Sequence, residues 1–189
     1  MKNMTYLKRG HRQQNTDYFI KSNGKVEWVL GLCLLQFMFV IIMFEIQIIK
    51  YQAMAEYLED AIAASGLASA LVDIEKFGQE GIVEISDYDM AYETYKKSLA
   101  VNIGNAVPDI VIEEYCIFNV NEGEIEIVSI NESGVTKQSR GIIGETRAPN
   151  GELVRETGVY SEVSFPVEGL FGLTATARKG KLVEINRNE

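Results

Sequence analysis

A long run of apolar residues near the N-terminus is the strongest pattern in the chain. Residues 28–44, WVLGLCLLQFMFVIIMF, contain no charge and a single polar side chain, Gln36. A helix over residues 26–49 would be roughly 36 Å long, enough to cross a bilayer core of about 30 Å. The run is apolar on every face, and so small a chain supplies no shell of other elements to bury it. It therefore predicts a membrane-spanning helix, and its length and the following EIQIIKYQ argue against a cleaved secretory signal.

The helical pattern continues beyond the apolar run. Residues 51–75 contain no proline, are rich in alanine, and repeat apolar or small residues at spacings of three and four. We therefore expect a single helix over residues 26–75, ended by the two glycines of FGQEG. Small residues recur at every fourth position as Ala61, Ser65 and Ser69. Such a face lets a second helix approach closely, and the high helix propensity of alanine is the alternative explanation for this composition.

A second, shorter helix is predicted over residues 87–103. Ser86 is the expected N-cap, with Asp89 three positions further on in the manner of a capping box. Four large side chains fall on one face of this helix, and we interpret them as packing rather than ligand-binding residues: Tyr88, Tyr92, Tyr95 and Leu99.

The remainder of the chain has the pattern of β-structure. The predicted strands cover residues 110–120, 124–130, 159–165, 173–178 and 182–185. Asn-Glu-Gly between the first two is a hairpin signal, and Lys-Gly-Lys is expected to be the turn of a last hairpin. The polar segment 136–157 is predicted to be a connection. About five strands in some 80 residues suffice for one small antiparallel sheet, which the helices could cover.

These elements predict an α+β protein made of a long N-terminal transmembrane helix, a short helix and a small antiparallel sheet. The predicted segments are a basic leader at 1–24, the membrane-spanning and projecting helix at 25–76, a helical connector at 77–106 and an antiparallel β domain at 107–189.

The distribution of charge predicts the orientation in a membrane. Residues 1–25 carry six Lys and Arg against one Asp, whereas the rest of the chain carries 12 against 26 Asp and Glu. Basic residues that flank a first helix stay in the cytoplasm, so we expect the N-terminus inside and residues 51–189 outside. The acidic exterior part argues against a nucleic-acid partner.

Residue types that carry chemistry are scarce in the predicted exterior part. The one histidine, His11, lies in the basic leader; Cys33 lies in the apolar run and Cys116 in a predicted strand, so no disulfide framework is expected. The sequence has neither a glycine-rich phosphate loop after a strand nor a serine nucleophile motif. We expect no enzymatic activity, no cofactor and no metal. The acidic clusters at 113–114 and 122–126 would bind Ca²⁺ only if they converge, and a solvated face is the favoured interpretation.

A short basic leader, a glycine, and a hydrophobic helix with a glutamate in its first turn together resemble the type IV pilins and pseudopilins. More narrowly, VEWVLGLCLL resembles the start of TadE-like minor pilins of the tight-adherence (Tad) pilus. The C-terminal VYSEVSFPVEGLFGLTATARKGKLVEI is similar to the closing segment of that group. The resemblance covers residues 24–76 and 158–178.

The resemblance implies a membrane subunit that a prepilin peptidase cuts between Gly24 and Lys25. The long helix would then join other pilin or pseudopilin subunits and the pilus assembly platform, either in the bilayer or in a surface filament. Glu27 would pair with the new N-terminal ammonium of a neighbouring subunit. The family has this glutamate at the fifth mature position, whereas a cut after Gly24 puts Glu27 at the third.

Two alternatives stay open from the sequence. Glu27 is also explained as an interfacial acid that faces water near a helix N-terminus. The whole chain is also compatible with an unprocessed single-pass scaffold or sensor whose exterior domain binds a partner in the envelope.

Overall fold

The computed structural model describes residues 14–104, 107, 109–169 and 172–185, and for residues 14–24 only the backbone. Three helices come first along the chain: α1 (Gln14–Ser69), α2 (Ile74–Glu80) and α3 (Tyr88–Ile103). Five strands follow: β1 (Val111–Asn121), β2 (Glu124–Asn131), β3 (Gly134–Ile142), β4 (Gly158–Glu168) and β5 (Thr174–Glu184). The strands form one antiparallel sheet in the order β3-β2-β1-β4-β5. The predicted α+β layout of a long apolar N-terminal helix and an antiparallel sheet is thus confirmed.

The chain divides into two compact units, Met1–Ile48 and Ile49–Glu189. The apolar part of α1 belongs to the first unit. The second unit contains residues 49–69 of α1, both short helices and the whole sheet.

The single long helix predicted from the sequence is wrong at its C-terminal end, where α1 stops at Ser69 and α2 begins separately at Ile74. At the break the Ser69 hydroxyl donates a hydrogen bond of 2.8 Å to a carbonyl of the preceding turn. The Asp73 carboxylate then caps α2 by accepting hydrogen bonds of 3.1 Å from two backbone amides of its first turn. Side chains that bond to the backbone compete with a continuing helix, and apolar spacing does not detect this. Gly81 ends α2 in the left-handed conformation, with φ of 69°.

The N-cap of α3 also differs from the prediction. Asp87 caps the helix, since its carboxylate accepts a hydrogen bond of 2.9 Å from the amide of Met90. The hydroxyl of Ser86, the predicted cap, instead donates to Asp73 at 3.2 Å. The tyrosine face is confirmed as packing: Tyr88 is half-buried, and Tyr92, Tyr95 and Leu99 are buried.

One strand was missed and one was divided wrongly. β3 begins at Gly134, two residues before the segment 136–157 that is predicted to be a polar connection, and continues into it. In the described part of the chain it is an edge strand that pairs with β2, and most of its side chains are exposed. The predicted hairpin around Lys-Gly-Lys is one continuous strand, β5, that pairs along the whole of β4. A Cβ at Gly180 would collide with the hydroxyl of Tyr160, so a close approach and not a turn requires this glycine.

The sheet buries both faces. One face packs against α1 and α3, and its buried side chains include Tyr115, Ile117, Val128, Ile130, Val159, Val163 and Phe165. The other face packs against the connection between β3 and β4, with Cys116, Phe118, Ile125, Tyr160 and Leu182 against Ala148 and Val154. Side chains alternate along β4, because Val159, Val163 and Phe165 lie on the helix side and Tyr160 lies on the other.

Candidate functional site: the two parts of the long helix

The apolar part of α1, residues 25–48, is called here the apolar segment. All its side chains are exposed except Gln47, which is half-exposed; Trp28 is 78% exposed and Leu35 is 70% exposed. Leaving so much apolar surface in water is costly, at about 25 cal/mol per Å². Within the described residues, one helix is long and apolar enough to cross a membrane, and it lies near the N-terminus.

Glu27 lies at the start of the apolar segment. Its side chain is exposed, and together with Trp28, Gly31, Leu32 and Leu35 it borders a shallow depression of about 330 Å³. Among the side chains that the structure describes, none forms an ion pair or a hydrogen bond with the Glu27 carboxylate. Within the described residues, the carboxylate is therefore exposed and unpaired.

The predicted processing residues also lie at this end. Gly24 and Lys25 both lie within α1, and the Lys25 side chain is exposed. At Gly24 the structure describes only the backbone, which is helical.

The second part of α1, residues 49–69, is called here the docked segment. It buries one face against the sheet domain at spacings of three and four, with Leu58, Ala61, Ile62, Ser65 and Ser69 at 5% exposure or less. This is the ordinary amphipathic pattern of a helix that covers a core.

The small residues of the docked segment contact other elements of the same chain. The Ser65 hydroxyl accepts a hydrogen bond of 3.0 Å from the Asn102 side chain of α3, and the Ser69 hydroxyl accepts one of 3.0 Å from Tyr115 of β1. At Gly66 a Cβ would lie 3.2 Å from a methyl group of Val183 in β5. Because Ala61, Ser65 and Ser69 are buried in this way, the close approach that small residues permit is used within the chain.

Polar contacts fix the docked segment at its exposed margin. The Glu59 carboxylate forms ion pairs with Lys179 at 2.6 Å and Lys181 at 2.8 Å, both on β5. The hydrogen bonds and charges of Lys179 and then Lys181 lower the pKa of Glu59 from its usual 4.5 to about 2. The Tyr57 hydroxyl donates to the Asn102 carbonyl at the end of α3 at 2.6 Å. The sequence pattern does not distinguish Glu59 or Tyr57, because their partners are distant along the chain.

The acidic residues do not assemble into a metal site in the described part of the chain, where no group of three or more His, Cys, Asp or Glu side chains is suitably placed. Glu122, Glu124 and Glu126 border an open cleft of about 450 Å³, together with Glu84 and Arg140. The nearest guanidinium and carboxylate atoms of Arg140 and Glu124 are 3.9 Å apart. The cleft is thus acidic and contains a counter-ion from the protein itself.

The two cysteines are free thiols in different surroundings. Cys33 is exposed in the apolar segment and Cys116 is buried in β1. Burial is the main cause that raises the pKa of the Cys116 thiol to about 12, so it is protonated and unreactive at neutral pH.

Comparisons of this chain with models of protein families, with curated proteins and with solved structures found no match.

Proposed function

We propose that this chain is a minor pilin or pseudopilin of the Tad type, a single-pass membrane subunit that takes part in assembling or initiating a pilus. The observation that carries the proposal is the contrast within α1. The apolar segment offers an uncovered apolar surface to lipid or to other helices, whereas the docked segment is held by its own domain. A pilin subunit requires this division, because one part of the helix must carry a folded domain while the other joins its neighbours.

Glu27 supports the same function through its charge. A carboxylate at the edge of an apolar helix bundle is costly unless it is paired. Its side chain has no partner within the described residues, and the ammonium created by cleavage after Gly24 in a neighbouring subunit has the complementary charge. Gly24 is the one glycine or alanine between His11 and Trp28, and it therefore provides the small residue that prepilin peptidases of this class need before the cut.

The proposed localisation is the cell membrane, with the N-terminus in the cytoplasm and the sheet domain outside. The strongly basic residues 1–25 support this orientation. The partners in this proposal are the prepilin peptidase, other pilin or pseudopilin subunits, the assembly platform and the bilayer. Catalysis, a cofactor and a nucleic-acid partner have no part in it.

Two observations favour the second candidate, an unprocessed single-pass scaffold or sensor. Glu27 would be at the third mature position and not at the family's fifth. In addition, the small residues of the docked segment are already buried within the chain, so this face is not offered to a neighbouring subunit. In this alternative, the acidic cleft beside the β1–β2 hairpin is the natural place for a basic partner to bind.

The N-terminus of the protein purified from its native membrane separates the two candidates. We expect intact-mass and N-terminal peptide analysis to find Lys25 as the first residue, with its amine free or methylated. Gly24→Leu should abolish the cut, and Gly31→Ala, a matched glycine change within the apolar segment, should leave it unchanged. An intact Met1 in cells with active cognate peptidase would contradict the pilin proposal and support the scaffold.

A second experiment tests the role of Glu27. Glu27→Gln keeps the size and removes the charge, so the helix should insert at normal levels while co-purification of other pilins falls. Glu45→Gln is the matched control, because Glu45 is the other exposed acid of the apolar segment and lies at its far end. If Glu27→Gln and Glu45→Gln both co-purified other pilins at the wild-type level, the charge at position 27 would not take part in assembly.

A further inference from the structure

The short helix α2 leaves its large apolar side chains uncovered. None of its residues is buried in the part of the chain that the structure describes. Ile74 is 83% exposed and Phe77 is 52% exposed. Because the two residues are three positions apart, their side chains lie on the same side of the helix, called here the α2 face. The α2 face therefore adds little to the core of its own domain.

Exposed apolar residues also precede the α2 face along the chain. Leu71, three residues before Ile74, is 39% exposed, and Leu67 in the last turn of α1 is 59% exposed. Single exposed apolar side chains are ordinary on protein surfaces, whereas a concentration of them marks a surface that contacts another molecule. Residues 67–77 are such a concentration.

The backbone around α2 is held firmly by hydrogen bonds. The Asp73 carboxylate caps the start of the helix, and the Asp73 amide donates a hydrogen bond of 2.9 Å to the Glu84 carbonyl beyond its end. The backbone of Ile85 exchanges two hydrogen bonds with the buried side chain of Asn119 on β1, at 2.9 and 3.0 Å. The α2 face is thus presented on a fixed support, so binding costs it little conformational freedom.

The surroundings of the α2 face are acidic. Residues 70–87 contain five Asp and Glu and a single base, Lys76. The Lys76 ammonium already forms an ion pair of 2.8 Å with Glu84. Glu80 is exposed and follows Phe77 by three positions, which places it on the same side of the helix. The exposed apolar side chains are therefore bordered by net negative charge.

We propose that the α2 face binds a polypeptide segment of another protein that carries apolar side chains flanked by lysine or arginine. The apolar side chains cover Ile74 and Phe77, and the basic side chains meet the acids around them. A second copy of the chain fits less well, because a symmetric contact brings the same acids of two chains together. This inference is independent of cleavage after Gly24 and of pilus assembly.

Peptide binding to the full-length protein in uncharged detergent micelles tests this proposal. The probes are two fluorescein-labelled amphipathic helical peptides, one of leucine and lysine and the other of leucine and glutamate. Binding is followed by fluorescence anisotropy, and empty micelles correct for partition into detergent. The test variant is Ile74→Ser/Phe77→Ser. The matched control, Met90→Ser/Val101→Ser, removes two apolar side chains of α3 that are 57% and 80% exposed.

We expect the wild type to bind the leucine–lysine peptide and to bind the leucine–glutamate peptide much more weakly. Ile74→Ser/Phe77→Ser should weaken binding of the leucine–lysine peptide at least about tenfold, because a few central side chains carry most of the energy of a contact. The control should bind it like the wild type. Glu75→Gln/Glu80→Gln, at two exposed acids of α2, should weaken binding and make it less sensitive to salt.

The near-UV circular dichroism of these variants should match that of the wild type, because α2 has no residue buried against the described part of the chain. Loss of peptide binding would then reflect the α2 face and not unfolding of the domain.

Four results would overturn the proposal. The wild type might bind neither peptide, or bind both equally, which would reject a basic partner. Equal binding of the leucine–lysine peptide by the wild type, the test variant and the control would place its site elsewhere. Self-association of the wild type that Ile74→Ser/Phe77→Ser abolishes, measured by sedimentation velocity, would assign the α2 face to a second copy of the chain.

Discussion

The apolar segment and the docked segment belong to one helix and yet have opposite surroundings. In residues 25–48 no face of the helix is buried by the protein, whereas in residues 49–69 a regular row of side chains is buried against the sheet. The first part leaves its apolar side chains exposed and is apolar enough to cross a membrane. The second part requires a particular shape, because Ser65 and Ser69 accept hydrogen bonds from α3 and β1 and Gly66 has little room beside β5.

This contrast teaches that helicity and packing are specified separately along α1. In the proposed membrane location, high apolar content would be enough to keep the apolar segment helical, because every backbone group in lipid must be satisfied within the segment. The docked segment obtains most of its stability from burial of one face, as is usual for helices in water. Equivalent substitutions in the two parts should therefore have different effects on the sheet domain.

The largest difference is expected for a pair of isoleucine truncations. Ile62 is fully buried against the sheet, so Ile62→Ala should lower the free energy of unfolding of the sheet domain by about 2–5 kcal/mol. Ile42 is 47% exposed in the apolar segment, and Ile42→Ala should change the same quantity by less than about 0.5 kcal/mol. Urea unfolding of the full-length protein in detergent, followed by near-UV circular dichroism of the buried tyrosines, measures both.

Similar losses for the two variants would contradict the comparison. They would mean that the apolar segment also contributes to the stability of the sheet domain.

The sequence predicts most elements whose buried faces repeat at the period of their secondary structure. The apolar segment, the tyrosine face of α3 and the alternating β4 are all of this kind. β3 was missed because an exposed edge strand needs no apolar alternation. The end of α1 was placed too late because hydrogen bonds of Ser69 and Asp73 with the backbone, and not apolar spacing, decide where the helix breaks.

The candidate site was predictable only where it depends on the local order of residues. An exposed apolar run with a glutamate at its start can be recognised from the order of residues alone. The contacts that hold the docked segment cannot, since Glu59 and its partner Lys181 are separated by 122 positions. Nothing in the local sequence around Glu59 distinguishes it from an ordinary solvated acid such as Glu56.

A buried hydroxyl pair provides a sharper test of the docked segment. Ser69→Ala should cost about 1–3 kcal/mol of unfolding free energy, because it leaves the buried Tyr115 hydroxyl without its partner. Tyr115→Phe should cost less, about 1 kcal/mol, because the Ser69 hydroxyl keeps its hydrogen bond to the Gly66 carbonyl. The double variant should lose less than the sum of the two single losses. Strictly additive losses in the same urea experiment would show that the two hydroxyls do not interact.

The smallest expected effect concerns the ion pairs of Glu59 and depends on pH. The pKa of Glu59 is lowered in the folded protein to about 2 from its usual 4.5, chiefly by the hydrogen bond from Lys179 and then by that from Lys181. A lowered pKa means that the charged carboxylate favours folding, so its contribution is complete above about pH 4.5 and is lost as the pH falls towards 2. All three side chains are about one-third exposed, and the contribution should therefore be about 1 kcal/mol or less.

The measurement compares urea unfolding of the wild type and Glu59→Gln at pH 7, 5, 4 and 3. We expect the wild type to be the more stable protein at pH 7 and 5, and the difference to decrease at pH 4 and further at pH 3. Added salt at pH 7 should reduce the difference as well, because it screens partly exposed charges. Glu56→Gln, at an exposed position on the same helix, controls for the loss of one negative charge from an acidic protein. A difference between wild type and Glu59→Gln that is unchanged from pH 7 to pH 3 would mean that packing of the side chain, and not its charge, holds the docked segment to β5.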